Sequence, residues 1–116
     1  MNMRMTGNNI AISNALSSYT ERRLRLFAGK AVKAFHEVEV RLGDVNGPRG
    51  GVDKECKIRV VLHKAGVVFV RATGDDAYAT VDKAASRLKL AVARRIGRNR
   101  SMRRNVFAHP YRSSHE

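Results

Sequence analysis

The strongest constraint on this chain is a period-two alternation that recurs on successive segments. Val38, Val40 and Leu42 alternate with Glu37, Glu39 and Arg41, and Cys56, Ile58, Val60 and Leu62 alternate with Glu55, Lys57, Arg59 and Val61. Successive side chains of a strand point to opposite faces, so each segment reads as a strand with one face in a core and one in water. A third strand spans Val67 to Thr73 after a short turn at Lys64-Ala65-Gly66, and the Gly-rich loop from Asn46 to Asp53 separates the first two. Three strands joined this closely form an antiparallel meander. Met1, Met3 and Met5 alternate with Asn2 and Arg4, which predicts one more short strand that Gly7 ends.

Before and after the meander the spacing becomes helical. One helix starts near Ser13, a good N-cap, and places Ile12, Ala15, Leu16, Tyr19, Leu26 and Phe27 on one stripe before ending around Gly29. The other starts at Asp75 or Asp76, whose carboxylate suits the positive end of the helix dipole, and runs to about Arg98. Its stripe is Tyr78, Val81, Ala85, Leu88, Val92 and Ile96. The order β-α-β-β-β-α predicts an α+β fold. A right-handed first crossover then sets both helices on one face of a four-stranded sheet. With 116 residues and 43% apolar content, the chain suits one compact domain with a real core.

Charge separates the helices from the sheet. Residues 1–33 hold six Lys or Arg and one acid, residues 34–76 seven of each, and residues 77–116 ten and two; the whole chain carries +13. A small body so basic points to a polyanionic partner, and nucleic acid fits better than a membrane surface. No apolar run approaches the length that spans a bilayer, the N-terminus has no signal-peptide core, and Cys56 has no partner, so a reducing cytoplasm is the expected compartment. On the second helix Lys83, Arg87, Arg94 and Arg98 fall within about 60° of one another, opposite the apolar stripe. Like charges at this spacing repel, so helix stability gives no reason to align them, whereas a line of phosphates does. Residues 99–116 read as a flexible basic tail that adds phosphate affinity.

Other chemistry finds little support. Cys56 shares the core phase of its strand and reads as an inert buried thiol. The four His lack metal-ligand spacing, and the Gly-Pro-Arg-Gly-Gly loop lacks the Lys-Ser/Thr ending of a phosphate-binding loop. Glu37, Glu39 and Glu55 alternate away from the core, so no clustered acid and base suggest an RNA-processing enzyme, and no cofactor or metal is expected. Asp76 reads as a helix cap, Tyr78 and Val81 read as core, and Asp82 sits where it can orient a basic neighbour.

The segment Met5-Thr6-Gly7-Asn8-Asn9 with Ile12-Ser13 and Leu16, and the motif Gly74-x-Asp76-x-Tyr78-Ala79-x-Val81-Asp82, resemble the ribosome hibernation promoting factor family over residues 1 to about 98. The resemblance implies a fold related to the double-stranded-RNA-binding domain. It also implies a role in stationary phase or stress, in which the protein binds the small ribosomal subunit between head and body, over the messenger and transfer RNA sites, and stops translation. Arg23 matches the basic residue of the family's first helix, Arg87 the Lys before the leucine of the second, and Arg94, Arg95 and Arg98 its basic end. The expected RNA-contacting set is therefore Arg22, Arg23, Arg25, Lys30, Lys83, Arg87, Arg94, Arg95 and Arg98. Arg23 falls on the apolar side of the first helix, so either its head must snorkel past the sheet edge or the phase of that helix is off there. Where the family often has an Arg, this chain has Leu90. Its length matches the short forms, without the domain that pairs two ribosomes, and its basic tail differs from the acidic tail of the inhibitor-A type. The expected partners are the small subunit, its ribosomal RNA and the whole ribosome, met by a chain that is monomeric when free. The alternative reading is a general binder of double-stranded RNA or DNA.

Overall fold

The structure, a computed structural model, describes the backbone of residues 1–45 and 53–108 and the side chains of residues 1–45 and 53–97. Strand β1 (Met3–Asn8) leads through helix α1 (Asn14–Ala28) and a 3-10 helix (Gly29–Ala34) to strands β2 (Phe35–Asp44), β3 (Lys54–Leu62) and β4 (Gly66–Gly74), and the chain then enters helix α2 (Ala77–Ala108). The sheet order is β1-β2-β3-β4. β1 runs parallel to β2, which the α1 crossover makes possible, and β2, β3 and β4 pair antiparallel as a meander. Most of the loop expected between the first two meander strands lies outside the described residues.

One sheet face is covered by the helices and is apolar. Val38, Val40, Leu42, Cys56, Ile58, Val60, Leu62, Val68 and Ala72 from the strands are buried against Leu16 and Leu24 of α1 and Val81, Ala84, Ala85, Leu88 and Val92 of α2. The opposite face is an ion-pair lattice: Arg59 lies 3.8 Å from both Glu37 and Glu39, Lys57 3.8 Å from Glu55, and Arg71 contacts Glu55. Acids and bases of the neutral middle segment therefore neutralise one another on the sheet, which leaves the excess positive charge to the helices.

Both helix starts are fixed by their caps. Ser13 Oγ accepts from the Leu16 amide at 3.0 Å, and Asp76, rather than Asp75, accepts from the Ala79 amide at 2.9 Å. The glycines of the two motifs serve close approaches. A Cβ on Gly7 would stand 2.1 Å from the Ile10 carbonyl, and one on Gly74 2.6 Å from Thr80 Oγ1. The chain folds back on itself after β1, and α2 starts hard against the end of β4, only because neither position carries a side chain.

The structure departs from the sequence expectations in four places. The buried face of α1 is Leu16, Thr20 and Leu24, while Ala15 is exposed and Leu26 is 67% exposed. Thr20 can be buried because its hydroxyl donates to the Leu16 carbonyl at 2.8 Å, and counting it as polar rotated the expected stripe toward Leu26. Tyr78 is 38% exposed rather than in the core; its ring packs edge-on against Tyr19, with centroids 4.8 Å apart. β1 passes Gly7 by one residue. Helix α2 passes Arg98 and continues to Ala108, so the first ten residues of the expected tail have helical backbone. Gly97 lowers helix propensity by only about 1 kcal/mol, too little to end the helix near Arg98.

Candidate nucleic-acid interface

Helix α2 lies along β4, one of the two edge strands of the sheet, and its basic side chains reach that edge. Lys83 Nζ donates to the Thr73 carbonyl at 2.6 Å, Arg87 Nη1 to the Arg71 carbonyl at 2.6 Å, and Arg95 Nε to the Ala65 carbonyl at 2.8 Å. For the first two the match is geometric, since four helical residues rise about 6 Å and two strand residues about 6.7 Å; Arg95 reaches one step further along the strand, to Ala65 rather than Val67. The ladder therefore points along the β4 flank rather than straight away from the fold.

These contacts orient the cations without neutralising them. A carbonyl oxygen is a neutral acceptor, Arg87 keeps four further N–H donors, and Lys83 keeps two. Lys83, Arg87 and Arg94 are exposed, Arg95 is half-buried, and none of the four has a carboxylate within ion-pair distance among the described residues. Repulsion along the ladder, a few tenths of a kcal/mol per pair, is offset by the carbonyl hydrogen bonds. The result is a fixed row of free positive charge beside an exposed strand edge. The Arg98 side chain lies outside the described side chains.

The α1 residues divide. Arg22 and Lys30 are exposed, and Arg25 is exposed but pairs with Glu21 at 3.1 Å. Arg23 does not reach past the sheet edge. Its Nε donates to Asp82 Oδ1 at 2.8 Å, and its guanidinium stands 5.6 Å from the Tyr19 ring centroid and 5.3 Å from that of Phe27. The Tyr19 hydroxyl donates to the same carboxylate at 2.8–2.9 Å. This hydrogen bond, reinforced by burial, holds the Tyr19 phenol above its ordinary value of 10.0. Asp82 thus clamps α1 to α2, the orienting role its position allowed.

The fold also places the metal-ligating residue types and the one cysteine. Among the described residues, no group of three His, Cys, Asp or Glu side chains is placed to hold a metal ion. The Cys56 thiol is pushed up to about 12 by burial, so it is a core side chain and not a nucleophile.

Two features were not read from the sequence. The first is the edge of β4 itself, whose backbone groups carry no sequence signal. The second is Phe69, 67% exposed; the run Val67-Val68-Phe69-Val70 is apolar throughout and hides which residues face out.

Comparison with known proteins agrees with this architecture. Residues 3–100 match the family model described as sigma 54 modulation protein / S30EA ribosomal protein. No functionally curated protein matches the sequence. Among solved structures, a ribosomal subunit interface protein from Coxiella burnetii aligns with TM-score 0.73 at 24% identity, covering 84% of this chain and 99% of that one. The N-terminal domain of Protein Y from Thermus thermophilus aligns with TM-score 0.68 at 28% identity, covering 81% and 98% respectively. With nearly the whole strand-helix-meander-helix unit inside the matched span, this chain belongs to the sigma 54 modulation protein / S30EA ribosomal protein family, the family of ribosome-associated hibernation factors.

Proposed function

We propose that this chain is a hibernation factor that enters the small-subunit cleft used by messenger and transfer RNA, blocks translation there, and does so in the cytoplasm of stressed or stationary-phase cells. The observation that carries the reading is the basic face of α2, where Lys83 and Arg87 are held along β4 and Arg94 is exposed on the same side, with no carboxylate against them among the described residues. A fixed row of charge suits a line of ribosomal-RNA phosphates, and family membership supplies the ribosome as the source of that RNA. Arg22, Lys30, Arg95 and Arg98 add to this phosphate-facing set, and the basic segment 99–116 extends it. Arg25 and Arg23 contribute less, being engaged with Glu21 and Asp82. The reading needs no cofactor, no catalysis and no second copy of the chain.

Sedimentation with purified small subunits tests it. The wild-type chain is expected in the subunit fractions and to be competed off by messenger or transfer RNA. Its affinity should fall by roughly 0.7 to 0.9 log units per phosphate contact for each tenfold rise in salt. Reversing Lys83, Arg87 and Arg94 to Glu together should abolish co-sedimentation while circular dichroism still reports the fold. Co-sedimentation by the folded triple variant removes the assignment of this face. Equal affinity for a free RNA duplex and for the subunit would favour a general duplex binder instead.

A further inference from the structure

The basic cover of the β4 edge has a gap. Along α2 the series Lys83, Arg87, position 91, Arg95 steps by four, and its members at 83, 87 and 95 cap the carbonyls of Thr73, Arg71 and Ala65. Position 91 is Ala, too short to reach β4. Strand alternation puts the N–H and C=O of Val67 and Phe69 on the same free edge as those of Arg71 and Thr73. Among the described residues nothing meets these groups. Beside them lies a groove of ≈ 210 Å³ between Val67, Val68 and Phe69 on the strand and Ala91, Arg94 and Arg95 on the helix. The Phe69 side chain stands on its outer rim, exposed, because Val68 takes the buried phase.

We propose that this groove binds a nucleobase of a single-stranded stretch of RNA. The inference rests on the ribosome-binding reading for its choice of RNA and deepens it by naming the part of the RNA recognised. The outward N–H and C=O groups of Val67 and Phe69 offer neighbouring donors and acceptors, of which one base's Watson–Crick edge engages two or three. Phe69 offers a ring on which the neighbouring base stacks, and Arg94 meets the connecting phosphate. Charge complementarity favours this occupant, since two arginines line the groove and residues 83–115 contain no acid. An added peptide strand is disfavoured by length: only two outward-facing residues are bare, and Arg87 and Arg95 close the edge at either side. A base needs no more than those two residues. A duplex, whose base edges are already paired, gains nothing from them.

The test uses the full chain labelled with ¹⁵N and titrated with a five-nucleotide single-stranded RNA of mixed sequence, with an RNA duplex, and with an extended neutral peptide. The single strand is expected to shift the Val67 and Phe69 amide resonances more than the duplex does. Phe69→Ala, at an exposed position, should weaken single-strand binding roughly five- to a hundredfold, the effect of losing one stacked base. Ala91→Arg completes the ladder and fills the groove, so it should lower single-strand affinity at least tenfold despite adding a positive charge. An Ala91→Arg variant that binds the single strand as tightly as wild type, with the same two amides shifting, overturns the proposal. So does a peptide that shifts these amides where RNA does not. If Ala91→Arg fails to fold, Phe69→Ala decides alone, and unchanged affinity there rejects the groove. Ribosome sedimentation of the wild type reports separately on the reading beneath: a chain that sediments with subunits while its groove amides ignore single-stranded RNA loses only this inference.

Discussion

Replacing Asp82 by Asn keeps the side chain's shape and removes its charge, which isolates the clamp between the helices. In the native chain the carboxylate accepts from the Tyr19 hydroxyl at 2.8–2.9 Å and from Arg23 Nε at 2.8 Å, with Asp82 and Arg23 side chains each about a third exposed. A hydrogen bond to a charged acceptor contributes about 1.5–3 kcal/mol against about 0.5–1.5 for a neutral one, so the tyrosine bond should lose about 1–1.5 kcal/mol. The ion pair is partly screened by water and adds up to about 1 kcal/mol. Asp82→Asn should therefore cost about 2 kcal/mol, or about 8–16 °C in Tm for a domain near 100 residues. Urea unfolding of Asp82→Asn, Tyr19→Phe and the double variant measures it, and the loss in the double variant should fall short of the sum of the two single losses by roughly 0.5 kcal/mol or more, a coupling typical of contacting residues. The same change releases Arg23, so the salt slope of RNA binding should steepen if the freed guanidinium finds a phosphate. A loss below about 0.5 kcal/mol, within the range of ordinary surface changes, or full additivity, would refute the clamp.

The corrected face of α1 predicts opposite outcomes two residues apart: Leu24→Ala should cost about 2–5 kcal/mol in urea unfolding, and Leu26→Ala only about 0.5. The Arg71 guanidinium holds the Glu55 carboxyl below its ordinary value of 4.5. A depressed folded value means stability is present above about pH 4.5 and lost as pH falls through the folded value; Tm against pH should show this, and Arg71→Gln should flatten it. Tyr19 has the opposite sign: its raised value favours the protonated phenol in the fold, so its contribution holds below pH 10.0 and is lost as pH rises through the folded value. Ultraviolet titration should show Tyr19 ionising late, and Asp82→Asn should move its transition to lower pH. Cys56, with its thiol at about 12, should react with a thiol reagent at neutral pH only as fast as the chain unfolds.

The Lys83, Arg87 and Arg95 contacts also solve a problem of the fold. An edge strand with bare N–H and C=O groups invites pairing with another chain, and β4 carries apolar Val67 and Phe69 on its outer face. Laying cations on the edge carbonyls discourages that pairing and keeps the positive row in one place. One set of side chains thus protects the edge and presents charge to a polyanion, which is why charge reversal must be judged by fold as well as by binding.

The sequence by itself determined the element order, the phases of β2 and β3, both helix N-caps and the separation of a neutral sheet from basic helices. Those are local properties: a period of two or 3.6, a side chain that caps its own neighbours, and a count of charges need no distant partner. Only the tertiary structure decided what depends on partners far along the chain. Thr20 is buried because its hydroxyl bonds within α1, which an apolar count misses. Asp82 meets Tyr19 and Arg23 some sixty residues away, so no spacing rule reaches it. The four-residue apolar run of β4 carries no alternation, and its phase was set by the strand beside it and the helix above. The direction of the basic ladder was likewise fixed by where α2 lies on the sheet. A helical wheel gives angles about an axis, and only packing says which angle faces the edge carbonyls and leaves the gap at Ala91.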